Sequence, residues 1–288
     1  MDHSEGGSSS GHDNDETTCD RVCRIYHTDV PATSVAIPAR RWRRPPQTAP
    51  GECVYAIGDI HGCYDLLSEL LELIAEDVAR FRAGRRIRLL LLGDVIDRGP
   101  DSRKLLHALM LSQQQNDEVM EVLLGNHEAA LLDSVAGVDA AQRTWLAFGG
   151  NATLHSFGIE PPDEEAFGAP FARRLYNQIG PDLLDWIEQR PTFQRSGDFF
   201  FCHAGVRPRV PLARQGRDDL LWIREPFLSN RTYHGAVVVH GHTIVPTPQI
   251  LRNRIGIDTG AYRTGVLTAL CVDGQEAAII ATERGRTA

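Results

Sequence analysis

The sequence predicts an α/β fold. A short β-rich apolar run, a glycine-led polar loop and a helix with apolar residues at helical spacing follow one another three times between residues 53 and 135. The last third adds further strand-like runs, two of which end in histidine. In sheets built from such units, reactive groups collect beyond the carboxyl ends of the strands.

In the first unit a strand from Cys53 to Ile57 meets a loop at Gly58. A helix follows from about Tyr64 to Arg82, where Leu66, Leu67, Leu70, Leu71, Ile74 and Val78 share one face. The second unit is a strand from Ile87 to Leu92, a loop from Gly93 to Pro100 and a helix from Ser102 to Leu111. The third is Val119 to Leu124, Gly125 to Glu128, and Ala129 to Val135. From Ala141 to Arg190 the pattern is helical, broken at Gly149-Gly150 and Pro161-Pro162, and Trp145, Phe148, Trp186 and Ile187 are assigned to the core. Strands then run from Phe199 to Cys202, Ala236 to Val239, Arg254 to Ile257, Gly265 to Val272 and Glu276 to Thr282.

Residues 1–50 differ in composition from the rest: low in complexity at Gly7 to Ser10, acidic near Asp13 to Glu16, then punctuated by prolines. They have little to bury and read as a disordered tail, leaving 51–288 as one catalytic-sized domain. Arg40 to Arg44 read either as an electrostatic docking patch for an anionic partner or lipid or, the preferred reading, as a solvated linker in an arginine-biased chain whose only lysine is Lys104. The formal charge of −8 argues against a general nucleic-acid binder, whose affinity rests on phosphate neutralisation. No apolar run reaches the ~20 residues of a membrane helix, and the first residues lack a secretory signal, so a cytoplasmic location is expected. The six cysteines, with no paired CxxC spacing, read as reduced thiols.

The strand ends carry Asp59, His61, Asp94, Asn126, His203 and His242. This mixture of carboxylate, imidazole and amide oxygen suits divalent Mn, Fe or Zn better than calcium. Alone, each residue reads equally as a helix cap or a structural histidine; it is their repetition after apolar strands that points to metal-dependent chemistry. The Asp59 and His61 side chains, one residue apart, can turn to the same side, and Asp94 has two oxygens with which to bridge two ions.

Five motifs carry a family resemblance: GDIHG at 58–62, GDVIDRG at 93–99, GNHE at 125–128, HAG at 203–205 and GHT at 241–243. Their order and number resemble the calcineurin-like metallophosphoesterases, specifically the phosphoprotein phosphatase branch, with the bacterial serine/threonine phosphatases and their rhizobial-like group as the nearest pattern. The resemblance implies a four-layer α/β/β/α sandwich with two central mixed sheets. It implies that Asp59, His61 and Asp94 hold one divalent ion and Asp94, Asn126, His203 and His242 a second, with manganese first and iron or zinc as alternatives. His127 resembles the family's general acid, with Asp97 as its partner. Arg98, Asn126 and Arg224 resemble its substrate-binding groups, while His240 is the less suitable ligand.

Two ions held this way lower the pKa of water toward ~7 and clamp phosphoryl oxygens, so a hydroxide can attack phosphorus without a phosphoenzyme. The expected substrate is a phosphorylated protein or peptide, on serine, threonine or tyrosine, met by a monomer with no nucleic-acid or membrane partner. Symmetrical bis(5'-nucleosyl)-tetraphosphatases share the GDIHGCYDLL stretch and form the alternative; Asp97-Arg98-Gly99 and Glu128 favour the phosphatase. A third reading, an inactive binding scaffold, predicts a missing ligand or acid, and none is missing.

Overall fold

The computed structural model describes residues 33–34 and 45–283. The Arg40 to Arg44 run and most of the expected tail lie outside them. The strand-loop-helix units form β2 (Glu52–Ile57), α1 (Tyr64–Phe81), β3 (Arg86–Leu91), α2 (Ser102–Gln115), β4 (Met120–Val122) and α3 (Asn126–Val135). A helical layer follows: α4 (Asp139–Trp145), a kinked turn (Leu146–Gly150) with Gly149 at φ 117°, α5 (Asn151–Phe157), α6 (Ala169–Ile179) and α7 (Pro181–Glu188). The second half contains β5 (Phe193–Ser196), β6 (Phe199–Cys202), α8 (Arg217–Trp222), β7 (Val237–His240), β8 (Gln249–Ile250), β9 (Arg254–Gly256), α9 (Ala261–Thr264), β10 (Thr268–Asp273) and β11 (Glu276–Ala281). A two-residue strand, β1 (Thr33–Ser34), pairs with β11.

Two mixed sheets result, with strand orders β1-β11-β10-β2-β3-β4 and β5-β6-β7-β9-β8. Strand alternation explains why they stack. In β2, Cys53, Tyr55 and Ile57 join the cluster beneath the helices, while Val54 and Ala56 face Phe199, Phe201, Val237, Val239, Ile255 and Ile257 of the other sheet. Fully burying an aliphatic or phenyl side chain there contributes roughly 1.5–3 kcal/mol. On the far face of the second sheet, Phe200, Cys202 and Val238 pack against Leu212, Leu220, Ile223 and Phe227, so the fourth layer is present but is made of one short helix and loops.

Three differences from the sequence reading have physical causes. Packing starts before the boundary drawn at residue 50: Thr48 N–H donates to Gly274 O at 3.0 Å and Asp198 N–H to Gln47 O at 2.8 Å, which ties residues 47–48 to both sheets. The third unit's helix begins at Asn126 rather than Ala129, because Glu128 folds back to accept the Gly125 N–H at 3.0 Å. Strands β5 and β8 lie at the edges of their sheet and are short and polar, so they lack the apolar alternation by which a strand is legible.

Candidate metal centre

Parallel pairing brings the strand ends to one place. Ile57 lies opposite Leu91, Leu91 opposite Val122, Phe201 opposite Val239 and His240 opposite Gly256. Asp59, Asp94 and Asn126 therefore leave one sheet beside each other, and His203 and His242 leave the other. The loops approach at backbone contact: a Cβ on Gly93 would lie 2.5 Å from Gly125 N, which is why two of the loops must open with glycine. Of the six non-glycine residues with positive φ among the described residues, His61, Asp94, Asp97, Arg98 and His242 all belong to these loops. Such strain collects at functional sites, where the surroundings hold it in place.

Among the described residues, two groups of side chains have donor atoms within 4.8 Å of one another: His61, Asp94 and His127, and Asp94, His203 and His242, all buried. His203 Nδ1 faces Leu92 O at 2.9 Å and must donate to it, so a neutral ring turns its Nε2 lone pair to Asn126 Oδ1 at 2.8 Å and Asp94 Oδ2 at 3.4 Å. Burial first, together with the His127 and Arg224 charges, lowers the His203 pKa and keeps the ring neutral. His242 Nδ1 meets the same Asn126 oxygen at 2.8 Å, and its buried Nε2 has no hydrogen-bond partner among the described residues. His61 is oriented in the same way, with Nδ1 on Ile96 O at 2.8 Å and Nε2 at 3.6 Å from Asp94 Oδ2. Lone pairs that converge with few protons between them need cations. Carbonyls that fix imidazole tautomers are the usual support of metal ligands, so the residues fit a dinuclear divalent site.

Five of the six expected ligands, His61, Asp94, Asn126, His203 and His242, meet in or against these two groups. Asp59 stands differently, because both of its oxygens accept the His242 N–H, at 3.2 and 3.0 Å, and His127 takes its place beside His61 and Asp94. Asp59 is nonetheless within electrostatic reach: burial, then the charges of Asp258 and Asp94, push its pKa well above the carboxylate range. Asp258, which is not among the ligands expected from the motifs, lies two positions past β9, as Asp59 does past β2 and His242 past β7. That spacing was the available signal. Its carboxyl contacts Asp59, and burial raises its pKa to about 6. His240 is buried in β7, with Nδ1 on Gly241 O and Nε2 facing Arg254 Nη1 at 3.2 Å, outside both groups.

His127 and Asp97 are joined as expected, Nδ1 to Oδ2 at 2.6 Å. The Trp145 indole N–H donates to the same Asp97 oxygen at 3.0 Å and the Thr153 hydroxyl to the other at 2.6 Å, so Asp97 is held on both sides. Burial disfavours a charged His127, but the charges of Asp94 and Asp97 outweigh it and raise the pKa above the ordinary imidazole value. The Arg98 guanidinium spans the two imidazoles, Nη1 at 2.9 Å from His61 Nε2 and Nη2 at 3.0 Å from His127 Nε2. Arg224 is exposed and close enough for its charge to disfavour protonated His203 and His242. Trp145, Trp186 and Ile187 are buried as expected. Phe148 is not: it is 42% exposed, with its ring 6.3 Å from that of His127.

Glu128 has a role that its motif position alone does not reveal. Oε2 accepts the N–H of Asp94 at 2.9 Å and Oε1 those of Val95 at 2.8 Å and Ile96 at 3.1 Å, so one carboxylate holds the strained loop that carries Asp94. Burial pushes its pKa up to about 7. Glu128→Gln would aim an NH₂ group at backbone donors, and we expect a loss of about 1–3 kcal/mol in stability with a drop in metal affinity. Urea melts and manganese titrations measure both; a variant unchanged in each would show that the loop does not depend on this carboxylate.

The model of the family described as calcineurin-like phosphoesterase matches residues 54–269. A symmetrical bis(5'-nucleosyl)-tetraphosphatase of Nitrosospira multiformis is 30% identical over 201 residues, covering 66% of this chain and 60% of the relative. The chain thus spans less than two thirds of that protein's length. A bis(5'-nucleosyl)-tetraphosphatase PrpE of the asymmetrical kind, from Oceanobacillus iheyensis, is 23% identical over 74% of this chain and 86% of its own. Among solved structures, one provisionally named a diadenosine tetraphosphatase superposes with a TM-score of 0.57 at 23% identity, covering 83% of this chain and all of that one. A cold-active protein-tyrosine phosphatase of a psychrophilic Shewanella gives 0.53 at 17% identity, covering 91% of each chain. These two show the shared fold, and no described helix is long and apolar enough to cross a membrane. With its strand-end motifs gathered into paired donor clusters and the family match running through all of them, the chain belongs to the calcineurin-like phosphoesterases.

Proposed function

We propose that this metal-dependent phosphoesterase hydrolyses the phosphoanhydride chain of dinucleoside polyphosphates, as a symmetrical bis(5'-nucleosyl)-tetraphosphatase. The observation that carries this reading is the recurrence of that activity in the names of the curated relatives, including the one 30% identical over 66% of this chain. It displaces the phosphoprotein phosphatase expected from Asp97-Arg98-Gly99 and Glu128.

His61 and Asp94, with Asp59 beside them, would hold one ion, and Asp94, Asn126, His203 and His242 the other. The mixed oxygen and nitrogen donors favour manganese, with iron or zinc as alternatives. Bound there, two divalent ions supply acidified water and countercharge to the phosphoryl oxygens. Arg98 offers a planar pair of donors to those oxygens as charge builds on them, and Arg224 adds a second positive charge nearby. His127, whose pKa Asp94 and Asp97 raise, would give its proton to the departing oxygen with Arg98 turned from the two imidazoles to the phosphoryl oxygens.

A specific observation favours a second reading. The 2.6 Å His127–Asp97 pair is a strong acid assembly, which an alkoxide leaving group needs and a nucleotide phosphate, itself acidic, scarcely does. Hydrolysis of phosphopeptides is therefore the competing activity.

Rates on diadenosine tetraphosphate and on phosphoserine, phosphothreonine and phosphotyrosine peptides, with manganese and with chelator, decide between them. We expect the dinucleotide to have the highest kcat/KM, ADP to be the sole nucleotide product, and chelator to stop turnover. Dominant phosphopeptide hydrolysis would overturn the proposal, and equal ATP and AMP would overturn its symmetrical form.

A further inference from the structure

The candidate centre is edged by aromatic rings that the core does not use. Phe148, 42% exposed, lies with its ring 6.3 Å from that of His127, and Trp222, 38% exposed, lies 6.1 Å beyond it at 47°. The two come from the kinked turn before α5 and the end of α8, more than seventy residues apart in sequence.

Both are presented by built features. The turn closes on Arg98, whose N–H donates to Gly149 O at 3.3 Å and whose Nε donates to Phe148 O at 3.4 Å. Gly149 has φ 117°, and a Cβ there would stand 2.8 Å from Arg98 Cγ. Arg98 and the Phe148 ring are therefore positioned by one backbone contact, at the kink where Gly149 leaves helical geometry. Trp222 sits between Leu221 and Ile223, both buried, which anchor the backbone while the indole stays in solvent. The two part-exposed rings thus stand together beside His127, on faces that the core leaves uncovered.

We propose that Phe148 and Trp222 form a stacking platform for a planar aromatic ring on the leaving-group side of the scissile bond, and that the ring is a nucleobase. The direction follows from His127. A proton donor faces the departing oxygen, so rings that continue outward from His127 lie along the path of the leaving group. Aromatic platforms accept any base through its π face, which suits a substrate defined by its phosphate chain rather than by base identity. The nucleobase assignment rests on the proposed function; the platform itself rests on the two rings.

The test compares kcat/KM on diadenosine tetraphosphate with kcat/KM on inorganic tripolyphosphate, a phosphoanhydride with no ring. Phe148→Leu and Trp222→Leu should each lower that ratio about tenfold or more, while Phe148→Tyr and Trp222→Phe should keep it within about threefold of the parent. Phe81→Leu, at the exposed end of α1, serves as the control and should leave it unchanged. Both rates come from one preparation, so the ratio does not depend on the folded fraction. A parent enzyme that prefers phosphotyrosine peptide to the dinucleotide would overturn the proposed function and the nucleobase with it. In that case a fall in the phosphotyrosine-to-phosphoserine ratio in the two leucine variants would support the platform with a tyrosyl ring in place. Leucine variants that keep the parental ratio on both substrate pairs would overturn the platform.

Discussion

Asp94→Asn is expected to lower kcat/KM about a thousandfold or more on every phosphoester, because a metal centre supplies several kcal/mol of transition-state stabilisation and each 1.36 kcal/mol is a factor of ten. Asp94 is the one side chain common to both donor groups, with His61, His127 and His203 nitrogens at 3.6, 3.8 and 3.4 Å from its Oδ2. Its other oxygen accepts the His127 N–H at 3.0 Å, so the carboxylate ties the ligand set to the acid as well. The surrounding imidazoles counter the effect of burial and hold its pKa far below the carboxylate range, which keeps it ionised and ready for cations. An amide at this position loses the charge but keeps the shape, so the variant should fold and fail to bind manganese stoichiometrically. Metal analysis and turnover measure the two effects, and full activity in Asp94→Asn would remove the two-ion reading.

His127→Asn is expected to show a leaving-group dependence. On an alkyl phosphoserine peptide the loss should be roughly 10²–10⁴-fold, and on a nucleotide or activated aryl phosphate much smaller, because general-acid assistance scales with the basicity of the departing oxygen. The pH profile on the alkyl substrate carries the sign of the shift. The charges of Asp94 and Asp97 raise the His127 pKa against the effect of burial, so the acid form persists to higher pH than an ordinary imidazole, and the parent rate should fall only above that range. Asp97→Asn should move this alkaline limb to lower pH, since it removes the 2.6 Å charge-assisted contact. Equal losses on both substrates would count against His127 as the proton donor.

The strand-end residues were legible because chemistry and period coincide. An apolar strand followed by glycine and a polar residue repeats at Gly58-Asp59, Gly93-Asp94 and Gly125-Asn126, and the parallel register converts that repetition into proximity. Glu128 was visible as a letter of its motif but not as the residue that holds three amides of the 94–96 loop, since that contact spans more than thirty positions. Trp145 looked like core and is core, yet its indole N–H also fixes Asp97; burial and hydrogen bonding are separate properties of one side chain, and composition reveals only the first. Phe148 differs for the converse reason: an aromatic residue in a helical run reads as buried, and only the kink at Gly149 carries it out to the His127 side.

By itself the sequence determined the fold class, the order of the strand-loop-helix units and the identity of the residues at the strand ends, because these follow from local periodicity and from side-chain chemistry. The tertiary structure decided which donors share a cluster, that Asp59 faces the His242 amide while His127 stands beside His61, and that Asp258 joins the carboxylates. It also decided where the exposed rings lie. The physical reason is common to all of these. Each depends on the meeting of two sheets and on a few loops held at positive φ, and such contacts are fixed by packing between segments far apart in the chain rather than by any pattern within one.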